Sequence, residues 1–143
     1  MAYQTGGAER PEPWEPNVTA LRDPARLKWK DLVTPGTPLP TPWDKADFEK
    51  HTATIQQRRR EIRGRNAPEA EMDALFREEQ AWDIKFLSSM KYSGHVGAFE
   101  GAAYEARGLY RPETDCIMFT RDPVGFCRVC RRAIERIIDL YSK

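Results

Sequence analysis

The sequence predicts an α+β fold that is mostly helical, and three observations support this. Prolines crowd the first third of the chain, two stretches carry apolar residues at helical spacing around a Gly/Pro break, and a glycine-punctuated apolar stretch precedes a clear final helix. We therefore expect one domain in four parts. They are a proline-rich arm (1–43), a helical hairpin (44–90), an irregular strand region (91–121) and a C-terminal helix (122–143).

The arm carries most of the prolines, which run from Pro11 to Pro42. Each proline removes a backbone donor and restricts the residue before it, so extended chain is expected. One short helix is predicted from Pro24 to about Leu32, with Asp23 as its N-cap. Disordered segments are poor in aromatic residues, so docking of the arm is favoured. The expected anchors are Trp14, Leu21, Leu27, Trp29 and Trp43.

Two apolar stripes predict the antiparallel helical hairpin. The first stripe recurs at every seventh position, at Phe48, Ile55 and Ile62, and residues 64–68 break the helix. A second helix is expected from about residue 69 to 90. Its stripe is a packing seam formed by Met72, Leu75, Phe76, Trp82, Phe86 and Met90.

The final helix shows the clearest signals. Asp122 followed by Pro123 suits an N-cap and a first turn. Apolar residues follow at helical spacing, and we expect this face to be buried on the rest of the chain. From Val96 to Met118, glycines and small apolar residues predict irregular strand and turn with close approach of the backbone.

Composition and charge argue against several classes of partner. The formal net charge of the 143 residues is +1, which predicts no attraction to nucleic acid or to anionic membranes. The arginines at 58–60, 63 and 65 are accompanied by glutamates, which favours a solvated, paired helix face over a nucleic-acid patch. No apolar run approaches the ~20 residues of a membrane span, and the N-terminus has no signal-peptide pattern. As written, the chain is expected to be cytoplasmic, and its localisation is open if it is part of a longer protein.

The two histidines, His51 and His95, do not form a recognisable metal site. A hydrolytic zinc site needs about three protein ligands and an open position for water. Its usual helical form, H-E-x-x-H, places two imidazoles on one face, and neither histidine has another four positions away. We expect His51 to be exposed, and His95 to form local hydrogen bonds or to point into a cleft.

The three cysteines, Cys116, Cys127 and Cys130, allow several interpretations. The Cys-x-x-Cys pair at a helix start could serve redox chemistry, since the helix dipole lowers the pKa of a thiol. Together with Cys116 and His95 it could bind zinc. The simplest interpretation is a clamp, in which Cys116 lies against the last helix and either forms a disulfide with one of its cysteines or packs as a thiol. The odd count leaves the redox compartment open.

Six segments carry a family resemblance: EPWEPNVT (12–19), LKWK (27–30), VGAFEGAAY (96–104), GLYRP (108–112), CIM (116–118) and FCRVC (126–130). In this order they resemble the C-terminal part of the IgA-peptidase-like zinc metallopeptidases, a bacterial and fungal family grouped with the metzincins. The resemblance spans nearly the whole chain except the hairpin. It implies a single partial domain, the C-terminal subdomain of a metzincin-like peptidase closed by the last helix.

The resemblance also implies roles for individual residues. Met118 matches the methionine of the Met-turn, which passes beneath the zinc in such enzymes. A thioether packs under the imidazoles there without competing for the metal. The segment before that turn usually lines the pocket next to the scissile bond. This implies a substrate-lining role for Glu100, Tyr104 and Tyr110.

The chain lacks one part of the family pattern. In the family, an H-E-x-x-H helix upstream of the segment that matches 12–19 supplies the zinc ligands and the glutamate base, and this sequence has no such motif. We therefore expect a fragment of a zinc metalloendopeptidase, of a family typically secreted, that acts on peptide or protein substrates. Alone it is expected to bind no zinc and to have no catalytic residues or activity.

The alternative function is a non-catalytic peptide- or protein-binding module derived from the same fold. A thiol redox protein built on Cys127 and Cys130 is a third hypothesis. Without the catalytic half, the pocket wall from Val96 to Met118 is expected to expose apolar surface and to promote self-association.

Overall fold

The computed structural model describes residues 10–102 and 105–142. Two 3₁₀ helices, Pro24–Arg26 and Lys30–Leu32, precede the main elements. These are α1 (Lys45–Gly64), α2 (Glu69–Leu87), β1 (Phe99–Ala102), β2 (Glu105–Arg111), α3 (Ile117–Thr120) and α4 (Arg128–Tyr141). The fold is α+β and most of its regular structure is helical, which confirms the predicted class.

Helices α1 and α2 form the predicted hairpin around a small core of their own. Ile55, Ile62 and Leu75 are buried between them. The chain turns at Asn66, which has a positive φ of 55°, and Pro68 is the N-cap of α2. The hairpin core is small because α1 presents only a narrow apolar stripe.

Ion pairs join the two helices of the hairpin on the solvent side. Arg58 pairs with Glu78 and Arg59 with Glu79, and Arg65 pairs with Glu71 across the turn at 2.9 Å. This arrangement agrees with the interpretation of the arginine cluster as a solvated, paired helix face.

The seam between the hairpin helices differs from the prediction at three places. Phe76 is 56% exposed, with the guanidinium of Arg59 lying 4.8 Å from its ring centre. Helix α2 ends at Leu87 rather than near Met90. His51 is half-buried and stacks on Trp82, with ring centres 3.5 Å apart, so its predicted exposure is wrong.

The arm runs along the β-hairpin as extended chain. Thr19 and Tyr110 exchange two backbone hydrogen bonds, of 3.2 and 2.8 Å. Further along, the Thr34 amide donates to the Val96 carbonyl and the Thr41 amide to the Ala98 carbonyl. The arm thus satisfies the outer backbone groups of the segment from residue 96 to 110.

The expected anchors of the arm are not equally buried. Trp29 is fully buried and its indole Nε1 donates to the Gly97 carbonyl at 2.7 Å. Trp14 is 87% exposed, so it is not an anchor. The single helix predicted from Pro24 is two 3₁₀ turns, because Leu27 between them is extended with ψ of 132°.

Glycine is required where the arm approaches the strand region. A Cβ on Gly97 would lie 2.2 Å from the Thr41 hydroxyl. Gly101, with φ of 112°, lies where the register between β1 and β2 shifts. Its carbonyl accepts a 2.7 Å hydrogen bond from the Arg111 guanidinium. The close approach predicted from these glycines is present at both positions.

The main core joins the arm, the strand region and the start of α4. It consists of buried residues from segments that are distant in sequence: Leu27, Trp29, Val96, Cys116, Cys127, Val129 and Cys130.

Helix α4 differs from the prediction at both ends. It begins at Arg128 with Cys127 as N-cap, whereas Asp122 is buried in the preceding turn. Only Val129 and Cys130 of the helix are buried. The second half of its apolar face is exposed, at Ile134, Ile137, Ile138, Leu140 and Tyr141.

The exposed apolar surface therefore lies elsewhere than we expected. Val96, Ala98 and Phe99 are fully buried, and in this segment Ile117 and Met118 are the large apolar residues exposed among those described. None of the helices in the described ranges is long and apolar enough to span a membrane.

Candidate functional site

The three cysteines form one buried group, here called the cysteine cluster. The Sγ atoms of Cys116, Cys127 and Cys130 all lie within 4.8 Å of one another, and Cys116 Sγ is 3.7 Å from Cys130 Sγ. No side chain of the group is more than 5% exposed, and none is in a disulfide. The structure therefore supports the contact between Cys116 and the last helix as thiols.

Backbone and side-chain donors surround the sulfur atoms. The Cys127 amide donates to Cys116 Sγ at 3.2 Å, and Asn17 Nδ2 donates to Cys130 Sγ at 3.3 Å. Hydrogen bonds from Cys127 and Cys130 lower the pKa of the Cys116 thiol. The same contacts, together with burial, raise the pKa of Cys127 and of Cys130. Negative charge in the cluster is thus favoured first on Cys116.

The segment with the resemblance to a Met-turn follows Cys116 directly. Met118 lies on the single-turn helix α3 and is 57% exposed. Its neighbour Phe119 packs inward against two of the core clusters. The cysteine cluster and Phe119 thus hold the turn in place, while the methionine side chain remains available at the surface.

Carboxyl groups flank this turn on the side of α2. Asp115 and Asp122 each have one buried oxygen with no hydrogen-bond partner among the described residues. Burial and the nearby Asp115 raise the pKa of Asp122 to about 7. Burial, with Glu79 and Asp115, also raises the pKa of Asp83 to about 7. Protons are therefore retained in this group near neutral pH.

Glu100 and Tyr110 meet on one face of the β-hairpin, where they are cross-strand partners. With Trp43 and Lys45 they line a cleft of about 260 Å³, here called the strand cleft. The Glu100 carboxylate accepts hydrogen bonds at 3.1 Å from the ammonium of Lys45 and from the Gly108 amide. Burial and the charge of Glu100 raise the pKa of Tyr110, so its hydroxyl is a hydrogen-bond donor at neutral pH.

Arg111 forms the rigid base of the strand cleft. Its guanidinium is buried, donates to the carbonyls of Gly101, Glu113 and Thr114, and lies 5.0 Å from the ring centre of Trp43. Burial lowers the pKa of Arg111 to about 10, against the opposing effect of Asp115. The base of the cleft therefore carries a fixed positive charge at neutral pH.

The structure brings together some of the predicted site residues and separates others. Glu100 and Tyr110 share the strand cleft, and the cysteines share the cysteine cluster. Met118 lines neither feature. Tyr104 lies outside the described residues. His95 bonds through Nδ1 to the Thr37 hydroxyl at 3.0 Å, and the metal-competent group contains no histidine among the residues described.

Sequence reasoning missed Lys45, Trp43 and Arg111 as members of the strand cleft. Trp43 was expected only to anchor the arm, and Lys45 begins a helix with no motif around it. Arg111 lies between Tyr110 and Pro112 in one of the resembling segments, which was the available signal.

Comparison with known proteins agrees with the resemblance. The family model described as IgA Peptidase M64 matches residues 2–138. The chain belongs to this peptidase family. The match includes the hairpin, which the resembling segments do not cover. A search of curated proteins found no match to the chain.

Proposed function

We propose that this M64-family chain contributes the substrate-facing wall of a zinc metalloendopeptidase and has no peptidase activity alone. The strand cleft is the observation that supports this most directly. It combines a carboxylate (Glu100), a phenol (Tyr110), an ammonium (Lys45) and an indole (Trp43) around one depression. Such groups can accept and donate hydrogen bonds to a peptide backbone and pack against its side chains.

The residues of this chain do not fit the catalytic zinc of a metzincin. Such a site needs several imidazole ligands that converge, with a glutamate base between them. His51 stacks on Trp82 within the hairpin, and His95 bonds to Thr37 in the strand region. We derive no water-activation step from these residues, and the proposal requires the zinc-binding helix to come from another segment or chain.

In this proposal Met118 forms the Met-turn beneath that zinc. The exposure of its side chain leaves it free to pack against an added element, since Met118 is 57% exposed. The preceding Cys116 anchors the turn in the core, which would hold the thioether at a constant height.

The alternative is a non-catalytic peptide-binding module. The observation in its favour is that the groups which line the strand cleft come entirely from this chain. A binding function would therefore need no further segment. This proposal and the first differ in whether a zinc-binding helix belongs to the working protein.

A peptidase assay with zinc tests the inactivity of the chain. We expect no cleavage of casein by the purified chain above a blank, with or without added zinc. Zinc-dependent cleavage that disappears with a chelator would contradict the proposal. Reading the DNA in frame upstream of Met1 separates the two functions, because an H-E-x-x-H codon run supports the peptidase and its absence supports the binding module.

A binding assay tests the strand cleft. Peptides from a casein digest should shift the NMR signal of the Trp43 indole while the other indole signals move less. Glu100→Gln should weaken this binding about tenfold, since a hydrogen bond to a charged group contributes ~1.5–3 kcal/mol. Glu105→Gln is the matched control, because Glu105 is an exposed glutamate of β2 that pairs with Arg10. Equal effects of the two variants would exclude the cleft as the binding site.

A further inference from the structure

The cysteine cluster has the spacing of a thiolate metal site rather than of a simple contact. Zinc binds thiolates at about 2.3 Å, and a tetrahedral arrangement then separates neighbouring sulfur atoms by about 3.8 Å. Cys116 Sγ and Cys130 Sγ are 3.7 Å apart, and the three sulfur atoms lie within 4.8 Å of one another. A disulfide would use only two of the three sulfur atoms and leave the third thiol buried against it.

The backbone around the cluster is arranged as in many thiolate metal sites. Cys127 is the N-cap of α4 and Cys130 lies in its first turn, so the pair brackets the positive end of a helix of 14 residues. Cys116 approaches from an extended segment before α3. The three ligands thus come from two segments that the core has already brought together, and little reorganisation is needed to bind an ion.

Hydrogen-bond donors point at the sulfur atoms from outside the cluster. The Cys127 amide reaches Cys116 Sγ and Asn17 Nδ2 reaches Cys130 Sγ, at 3.2 and 3.3 Å. Donors of this kind offset the excess negative charge of several thiolates on one divalent cation and orient the ligands. A buried apolar packing contact between thiols has no need of them.

An ion also has a path to the cluster. Cys127 lines a cleft of about 340 Å³ whose walls include Glu113, Asp115 and Arg131. The described residues supply three ligands, so the fourth position is open to a water molecule entering from this side.

We propose that Cys116, Cys127 and Cys130 bind one Zn²⁺ ion, with a water molecule as the fourth ligand. Binding converts the three thiols to thiolates and releases their protons to solvent. This zinc is a structural ion, separate from the catalytic zinc, and it joins α4 to the turn that carries Met118. The site does not depend on the proposed peptidase function.

Zinc content of the full chain, purified under anaerobic reducing conditions, tests the proposal. We expect one zinc ion per chain after loading and desalting, and protection of the three cysteines from alkylation. Cys116→Ser should lose the ion at the same free zinc concentration. Asn17→Ala should bind it about 10–100-fold more weakly, as is typical when a hydrogen bond to a ligand is removed.

Val129→Ala is the control for a general loss of packing, because Val129 is buried in the same core but offers no ligand atom. It should retain the full amount of zinc. If Cys116→Ser does not fold, the cobalt-loaded native chain should show thiolate-to-cobalt charge-transfer absorption. Three alkylatable thiols with no bound metal, a disulfide within the cluster in zinc-loaded protein, or equal zinc loss in Val129→Ala would each overturn the proposal.

Discussion

The helical hairpin and the cysteine-containing end of the domain are stabilised by contacts of different range. In the hairpin, Arg58–Glu78 and Arg59–Glu79 join residues 20 positions apart. At the other end, the Trp29 indole reaches Gly97 across 68 positions and Asn17 reaches Cys130 across 113. The first region follows from local periodicity, whereas the second exists only when distant segments meet.

The same difference separates the parts of the chain by the resemblance they carry. Lys28 donates to the carbonyls of Pro13, Glu15 and Val18, which joins two of the resembling segments. Trp29 and Asn17 join them to the strand region and to α4. The resembling segments therefore form one structural unit around the cysteine cluster. We infer that candidate functions lie in the unit built from distant contacts, and that the hairpin supports it.

The largest expected effect is that of Trp29→Ala. Removing this fully buried side chain should destabilise the domain by about 3–5 kcal/mol, because it leaves a large cavity and an unpaired Gly97 carbonyl. Urea unfolding followed by fluorescence and by far-ultraviolet circular dichroism measures the effect. Helical signal from the hairpin should outlast the tertiary signal. Simultaneous loss of both signals would show that the two regions are not independent.

The corresponding change in the hairpin, Ile55→Ala, should have a smaller effect. We expect about 2–3 kcal/mol, at the lower end for a buried isoleucine, because the small hairpin core can partly collapse around the vacancy. The same urea experiment applies, with zinc content as a second measurement. Zinc binding should be unchanged, and its loss would contradict the separation of the regions.

A change of pH should affect the turn between the regions. The pKa of Asp122 is raised to about 7 in the folded state, from an ordinary value of 3.8, by burial and by Asp115, with a further contribution from Asp83. The folded state therefore holds a proton that the unfolded state lacks between these values. Its contribution to stability is complete below about pH 4 and is lost as the pH rises through 7.

Asp122→Asn isolates that contribution. Relative to the native chain, the variant should gain on the order of 1–2 kcal/mol between pH 5 and pH 8, because it has no charge to bury. Comparing one variant at two pH values cancels the lost contacts of the carboxylate. A constant difference between variant and native chain at both pH values would contradict a raised pKa.

The smallest effect is expected for the surface ion pair Arg58–Glu78. Its side chains are 44% and 55% exposed, and pairs of this kind contribute roughly 0.2–1 kcal/mol. A double-mutant cycle with Arg58→Ala and Glu78→Ala should give a coupling in the lower half of that range, which falls as salt is added. A larger, salt-insensitive coupling would show that the hairpin depends on its ion pairs more than on its core.

The elements that local pattern predicts well are those with local contacts. The positions of α1 and α2 follow from the spacing of Ile55, Ile62 and Leu75, and the break between them follows from residues 64–68. The start of α4 was misplaced by six residues. Asp122-Pro123 has the chemistry of an N-cap, but burial of Asp122 beside Asp115 satisfies the core instead of the helix.

The candidate sites were predicted only in part for the same reason. Cross-strand pairing brings Glu100 and Tyr110 together, and the family resemblance identified both. Lys45 and Trp43 join them because the arm returns across the β-hairpin, which depends on hydrogen bonds such as Thr41 to Ala98. No local pattern encodes that return.

From the residues alone one could read the fold class, the hairpin, the family resemblance and the absence of a histidine pair. Folding in three dimensions added the convergence of the sulfur atoms, the exposure of the second half of α4 and the members of the strand cleft. Periodicity reports which face of a segment is apolar, because that follows from geometry within a few turns. Which surface covers that face depends on contacts between distant segments, and Trp29, Cys116 and Cys130 meet only in the folded core.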